Sequence, residues 1–317
     1  METRPNFFIA GAPKAGTTSL YYYLDQHPQI YMSPIKEPCY FASEIRPENF
    51  GAELQHLVAN DAQALRSYLD GPMREKRFGG LVTDWQDYLR LFGGAQEEKA
   101  IGEASVCYLW SKTAARNIAA QIPDARILLI LRDPAERAFS QYAHVATNGH
   151  TRMSFREYIR SGLRSTAGKF GVSYPFLEFG LYCEQVKRFL ATFPRENIGI
   201  YFFEDYRERP AETLADIFRF LQVSDSFTPD RSSKHLEPHM PRSIAMGYAL
   251  KKSGVWQRAK TLTPQALRPF ARRLVFRDRK ALRMDRTDRR YLVDYYREDI
   301  QSLSQLLNRD LSGWMAE

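Results

Sequence analysis

The sequence predicts an α/β fold, three-layered as α/β/α, around a central parallel sheet. Two observations carry this. Apolar runs of strand length occur at Asn6–Ala10, Gln29–Met32, Ala100–Glu103, Arg126–Leu131 and Asn197–Phe203, and helical patterns separate several of them. Strands that alternate with helices imply a parallel sheet covered on both faces. The run before Arg132 is also apolar at five consecutive positions, as expected of a strand buried on both sides.

The elements follow in order. The first run, Asn6–Ala10, leads through GAPKAGTTSL at 11–20 into a helix that begins near Thr17. The Arg126–Leu131 strand leads into a helix with three start signals: Asp133 as N-cap, Pro134 at the first helical position and Glu136 three residues after the cap. From Asp288 to Leu307, apolar residues at Leu292, Tyr295, Tyr296, Ile300, Leu303, Leu306 and Leu307 keep helical spacing. That stretch predicts a closing amphipathic helix.

A chain of 317 residues with 44% hydrophobic and 26% charged residues is globular and long enough to bury a core. No apolar run approaches the roughly 18 to 20 residues needed to cross a bilayer, and the longest is ILLIL at 127–131. The start has no long apolar core or cleavage site of a signal peptide. The expected compartment is therefore cytoplasmic. Cys39, Cys107 and Cys183 are odd in number and widely spaced, a pattern that suits neither a disulfide framework nor a zinc site. The net charge of +8 is regional: between Lys251 and Arg290 fourteen Lys and Arg face three Asp, a local +11 that leaves −3 for the rest. This stretch reads either as helices with solvated basic faces or as a landing surface for something acidic.

The turn at 11–20 is the strongest local signal. Gly11 and Gly16 allow a tight backbone turn, and the helix start offers unpaired amides and a positive dipole end to an anion. It reads as a P-loop-like phosphate-binding loop. Compared with G-x-x-x-x-G-K-[ST], both glycines and Thr18 match, but Thr17 stands where the lysine should be and the lysine is at position 14. A lysine inside the loop sits near the first phosphate and its leaving oxygen. That argues against ATP or GTP and for a shorter, diphosphate-like ligand.

Taken together, the P-K-x-G-T-T run at Pro13–Thr18 and a buried strand followed by Arg132, Asp133, Pro134, Glu136, Arg137, Ser140 and Tyr142 resemble the PAPS-dependent sulfotransferases. The likeness is to the branch that holds the glycosaminoglycan and many bacterial enzymes. It extends to KEPCYF at 36–41, GEASVCYL at 102–109, FGLYCEQVKRFLATFP at 179–194, IYFFEDY at 200–206 and LLNRDLSGW at 306–314. The resemblance implies one sulfotransferase domain over residues 1–317, with acceptor-binding insertions near 42–99 and 145–179 and a basic helical region at 250–317. It implies that 3′-phosphoadenosine-5′-phosphosulfate (PAPS) is the donor and adenosine 3′,5′-bisphosphate the product. Lys14, Ala15, Gly16, Thr17, Thr18 and Ser19 would hold the 5′-phosphosulfate, Arg132 and Ser140 the 3′-phosphate. Arg242, in the late run RSSKHLEPHMPRS at 231–243, would add a phosphate contact.

Sulfonate transfer is an in-line displacement helped by positioning and charge stabilisation. Lys14 is the natural partner of the leaving oxygen. In the glycosaminoglycan branch the glutamate of K-E-x-x-[FY]-F is the proposed base, which the resemblance carries to Glu37; its other role would be to order the loop with Lys36. Small-molecule sulfotransferases use histidine, which keeps His239 and His235 as alternatives. Ala104 stands where some glycan enzymes carry a lysine, so one cationic contact to a sulfated polysaccharide is missing. No metal is expected. The expected partner is an acceptor hydroxyl or amine on a small metabolite, a carrier-bound intermediate or a glycan, with an acidic acceptor among these, and not nucleic acid. The alternatives are a nucleotide or small-molecule kinase, against which the missing lysine counts, and a non-catalytic anion-binding protein.

Overall fold

The computed structural model describes residues 3–50, 52–164, 176–232, 240–241, 248, 276–277 and 283–316, with side chains from 61 onward in the helix that begins at 52. His235, His239, Arg242 and all of 251–290 apart from 276–277 and 283–290 lie outside the described residues. The chain forms two compact units, one of residues 1–132 with 167–233, the other of residues 133–166 with 234–317.

The first unit holds the sheet. Its elements are β1 (Phe7–Ile9), α1 (Thr17–Leu24), β2 (Ile30–Met32), β3 (Ile35–Lys36), α2 (Ala52–Asp70), β4 (Arg77–Phe78), α3 (Trp85–Arg90), β5 (Ala100–Ala104), α4 (Cys107–Trp110), α5 (Ala114–Gln121) and β6 (Arg126–Leu131). After the chain has passed through the other unit come α8 (Tyr182–Leu190), β7 (Ile198–Phe202), α9 (Phe203–Glu208) and α10 (Pro210–Phe220). Five strands form one parallel sheet in the order β2-β5-β1-β6-β7. The strands fall within about a residue of the five apolar runs, and the parallel sheet with its helices is the architecture those runs predict.

β1 lies in the middle of the sheet, so its side chains have no solvent face: Phe7, Phe8 and Ile9 are fully buried, as are Ile127, Leu128 and Leu129 of β6 beside it. The order places the chain's reversal of direction at β1, where it leaves toward β2 on one side and is later joined by β6 on the other. Open parallel sheets bind ligands outside the carboxyl ends of strands at such a point. The separate parallel pair β3–β4 joins residues about forty positions apart, with Ile35 opposite Arg77 and Lys36 opposite Phe78.

In the second unit α6 spans Pro134–Thr147 and α7 Phe155–Arg164, β8 (Met240–Pro241) pairs antiparallel with β9 (Phe276–Arg277), and α11 spans Arg286–Leu307. The start signals of α6 act as read: the Asp133 carboxylate accepts the amides of Ala135 and Glu136, with Pro134 in the first turn. Its other oxygen pairs with Arg289 of α11 at 2.9 Å. Tyr142 belongs to an aromatic cluster with Phe155 and Tyr158 and donates to the Met153 carbonyl. The closing helix is amphipathic, but its buried stripe is Asp288, Leu292, Val293, Tyr296, Ile300 and Leu303. Of the residues expected in the stripe, Leu306 is exposed and Tyr295 and Leu307 are half-buried; the last turn, 304–307, holds no buried residue.

Candidate functional site

The loop after β1 stays on the sheet for three residues: the amides of Ala10 and Ala12 donate to the carbonyls of Leu128 and Ile130 on β6 at 2.9 and 2.8 Å. It then turns sharply. Lys14 has φ 69° and Gly16 φ 87°, both left-handed. Glycine adopts this conformation without strain, whereas a lysine held there costs of order 1 kcal/mol or more. Alternation of left- and right-handed residues turns successive amides to one side, the arrangement that makes anion nests. Gly16 is the N-cap of α1 and supplies no capping side chain, so the first-turn amides of Thr17, Thr18 and Ser19 have no helical or side-chain acceptor built in. A Cβ at Gly16 would also come within 3.1 Å of the Phe203 ring. Phe203 therefore closes the back of the loop.

Arg132, at the end of β6, is buried and reaches this loop. Its guanidinium donates to the Lys14 carbonyl at 2.9 Å and lies 4.5 Å from the centroid of Phe203. Its own carbonyl accepts the Tyr182 hydroxyl at 2.9 Å. Lys14, Gly16 and Arg132 are thus brought together, with Phe203 and Tyr182 as supports that sequence reasoning missed. The runs holding those two aromatics stood out, but nothing in residue type showed which ring would face the loop.

Glu37 lies at the same carboxyl edge of the sheet. Its amide donates to the Ala104 carbonyl at 2.8 Å, and Ala104 pairs in register with Ile9 of β1, from which the phosphate loop departs. Glu37 is likewise left-handed, at φ 69°, and Cys39 follows at φ 57°. Lys36 holds the carboxylate: its Nζ is 2.8 Å from Glu37 Oε1, and Lys36 itself is 1% exposed, with its ammonium 4.7 Å from the Phe78 ring centroid. An ammonium so far from water requires a counter-charge.

A second carboxylate, Glu103, sits near it with no solvent exposure. It accepts the hydroxyls of Tyr108 at 2.6 Å, Ser105 at 2.8 Å and Tyr88 at 3.4 Å. Burial pushes its carboxyl up to about 7, although those hydrogen bonds and the Lys36 charge pull the other way. With Glu103 protonated, Lys36 and Glu37 balance each other. Ser105 Oγ in turn accepts the Cys39 amide at 3.1 Å, so Glu103 helps fix the strained segment around Glu37. Burial also holds the Cys107 thiol and the Tyr108 and Tyr88 hydroxyls well above their usual ranges.

Beyond Glu37 opens a pocket of about 500 Å³, walled by Ile45, Phe50, Leu65, Leu69, Leu81 and Val82. Ser140 is buried on α6, in the second unit. No cluster of three potential metal ligands occurs among the described residues, and no described helix is long and apolar enough to cross a membrane.

Residues 5–228 match the model of the sulfotransferase family. The chain is 27% identical over 321 residues, 99% of its length, to the human bifunctional heparan sulfate N-deacetylase/N-sulfotransferase 3, of which it spans 31%. It is 27% identical over 255 residues to carbohydrate sulfotransferase 15 of Rattus norvegicus, covering 69% of this chain and 44% of the relative. It thus spans less than half the length of these curated relatives. A solved sulfotransferase from Alicyclobacillus acidocaldarius is 30% identical and superposes with a TM-score of 0.72 over 99% of this chain and all of that one. With a match over most of its length and the loop geometry that accompanies it, the chain belongs to the sulfotransferase family.

Proposed function

We propose that the protein transfers a sulfonate group from PAPS to a hydroxyl or amine of an acceptor. The observation that carries this is the loop itself: left-handed Lys14 and Gly16, an uncapped helix start, and Arg132 bound to the Lys14 carbonyl. Such a turn fits a phosphosulfate, because its amides and dipole favour an anion and glycine at position 16 lets backbone approach closely. When bound, PAPS supplies the sulfonate and a phosphate leaving group. Ala15, Gly16, Thr17, Thr18 and Ser19 orient the 5′ end, and Lys14 offsets the charge that grows on the leaving oxygen. Arg132, with Ser140 by the order of the motif, takes the 3′-phosphate. Glu37 accepts the proton that the acceptor loses as its oxygen or nitrogen bonds to sulfur. His239 remains the alternative base and Arg242 a further phosphate contact, both outside the described residues. Family membership favours sulfonate transfer over the kinase reading.

The test is ligand-induced stabilisation followed by turnover. Adenosine 3′,5′-bisphosphate should raise the melting temperature, because a ligand that binds only the folded state stabilises it. ATP with magnesium should do much less. Equal protection by ATP, or no transfer of label from PAPS to any member of a broad alcohol and amine panel, would overturn the assignment.

A further inference from the structure

We infer that the acceptor is a compact alcohol or amine with an apolar body, uncharged or cationic, and not a sulfated polysaccharide, and that it is held in the pocket beyond Glu37. The inference rests on the assignment of Glu37 to the acceptor side. Four observations support it.

The pocket's volume, about 500 Å³, lies in the range of sites that take one small molecule. Its wall is mostly apolar, and Leu65, Leu69, Val82, Ile45 and Phe50 are buried. An apolar wall contributes to affinity through the area it removes from water, at about 25 cal/mol per Å². A polyanion presents almost no such area.

The charges on the described lining have the wrong sign for sulfate. Glu37, Asp61 and Asp87 face a single cation, Arg66. That arginine is already committed: its fork donates to Asp70 at 2.7 and 3.0 Å and to Asp87 at 2.9 and 3.1 Å. Two further cations adjoin the wall and are committed as well, Arg77 to Asp61 and Lys36 to Glu37. A sulfated sugar entering here would meet carboxylates and no uncommitted guanidinium, so nothing offsets the hydration its sulfates would lose. A neutral body meets no such penalty, and an ammonium would find carboxylate oxygens on the wall.

The reactive end is placed by the same wall. Glu37 contributes to the lining while its carboxylate is held by Lys36 at 2.8 Å. A hydroxyl or amine at the mouth would therefore meet a fixed acceptor while its apolar body fills the space between α2 and the 79–83 segment. Ala104, in place of a lysine, is consistent with this, since Ala104 is fully buried and presents no charge.

Binding is tested separately from transfer. N-phenyl-1-naphthylamine, a neutral aryl amine that fluoresces in apolar surroundings, is titrated into the full chain, and decanol, decylamine and an N-desulfated heparan polysaccharide are used as competitors. One probe should bind per chain, displaced by the first two competitors and not by the third. Leu81→Arg puts a cation into the wall, and Ala62→Trp fills the pocket from an exposed helix position. Each should weaken probe binding at least tenfold, while stabilisation by adenosine 3′,5′-bisphosphate stays unchanged. The second variant serves if the first does not fold. Absence of probe binding, binding indifferent to both variants, or displacement by the polysaccharide overturns the inference. Label transferred from PAPS to the polysaccharide but to neither small competitor overturns it while sparing the sulfotransferase reading. Probe binding as described without transfer to any acceptor supports the pocket's chemistry and overturns the reading it rests on.

Discussion

Replacing Glu103 by glutamine should remove a pH dependence from the protein's stability. In the fold this carboxyl keeps its proton up to about 7, while in the unfolded chain it ionises near the ordinary 4.5. Below the lower value both states hold the proton and the stabilisation is fully present. Between the two, only the folded state holds it, so stability falls as pH rises. The loss is complete above about pH 7. At 1.36 kcal/mol per unit, the contribution that disappears is about 3 kcal/mol. For a unit of this size it corresponds to about 6–10 °C in melting temperature. Glu44 acts in the opposite sense. Burial pushes it up, but bonds from Ser111, Thr113 and the Lys112 amide outweigh that and hold it below the usual carboxylate range, so its stabilisation is present above that range and is lost as pH falls below it. The comparison of wild type with Glu103→Gln between pH 5 and 8 isolates the Glu103 effect, because Gln can accept the Tyr108 and Tyr88 hydroxyls through its oxygen, donate to Ser105 Oγ through its amide nitrogen, and does not titrate. Melting followed by circular dichroism should show a wild-type decline across that window and a nearly flat variant. Parallel curves would refute the reasoning and mean that Lys36 outweighs burial and keeps Glu103 ionised.

Three further outcomes follow from the geometry. Lys14→Ala should lower turnover by about 10²–10³, the usual cost of one donor to a developing negative charge, with the fold intact by circular dichroism; turnover within threefold of wild type would remove Lys14 from the chemistry. Glu37→Gln keeps the shape and removes the proton acceptor, so turnover should fall by about 10²–10⁴ while adenosine 3′,5′-bisphosphate still protects; normal turnover would move the role to His239 or His235. Gly102→Ala would place a Cβ about 2.5 Å from the Phe7 ring in the middle of the sheet, so thermal melting should show a loss of about 1–3 kcal/mol, and an unchanged melting temperature would contradict that packing.

The five strands were legible because each is a short apolar run bounded by breaks in pattern, and burial on both faces leaves few polar residues to confuse it. The start of α6 was legible for another local reason, since Asp133 and Pro134 act within three residues of each other. The phosphate loop was legible through Gly11 and Gly16. The left-handed backbone at Lys14 and Glu37 was not, because neither residue type signals a positive φ as glycine or asparagine does. The β3–β4 pair escaped for want of length: two residues each, far apart in sequence, carry no periodicity. Glu103 lay within a run singled out by resemblance, yet its character depends on Tyr88, Tyr108 and Lys36. These come from three different elements, and only the folded chain assembles them.

Lys14 and Glu37 share a backbone conformation that any side chain other than glycine adopts at a cost. Heat resistance and activity therefore pull in opposite directions at Lys14, where glycine would relieve strain of order 1 kcal/mol and remove the charged group. At Glu37 they pull together, because glycine there would leave the buried Lys36 ammonium without its counter-charge, which costs more than the strain it relieves. A library of variants enriched only for survival at high temperature should drift toward glycine at 14, keep the acid at 37 and lose transfer as it does so. Directed evolution of this chain for robustness needs turnover in the screen from the first round.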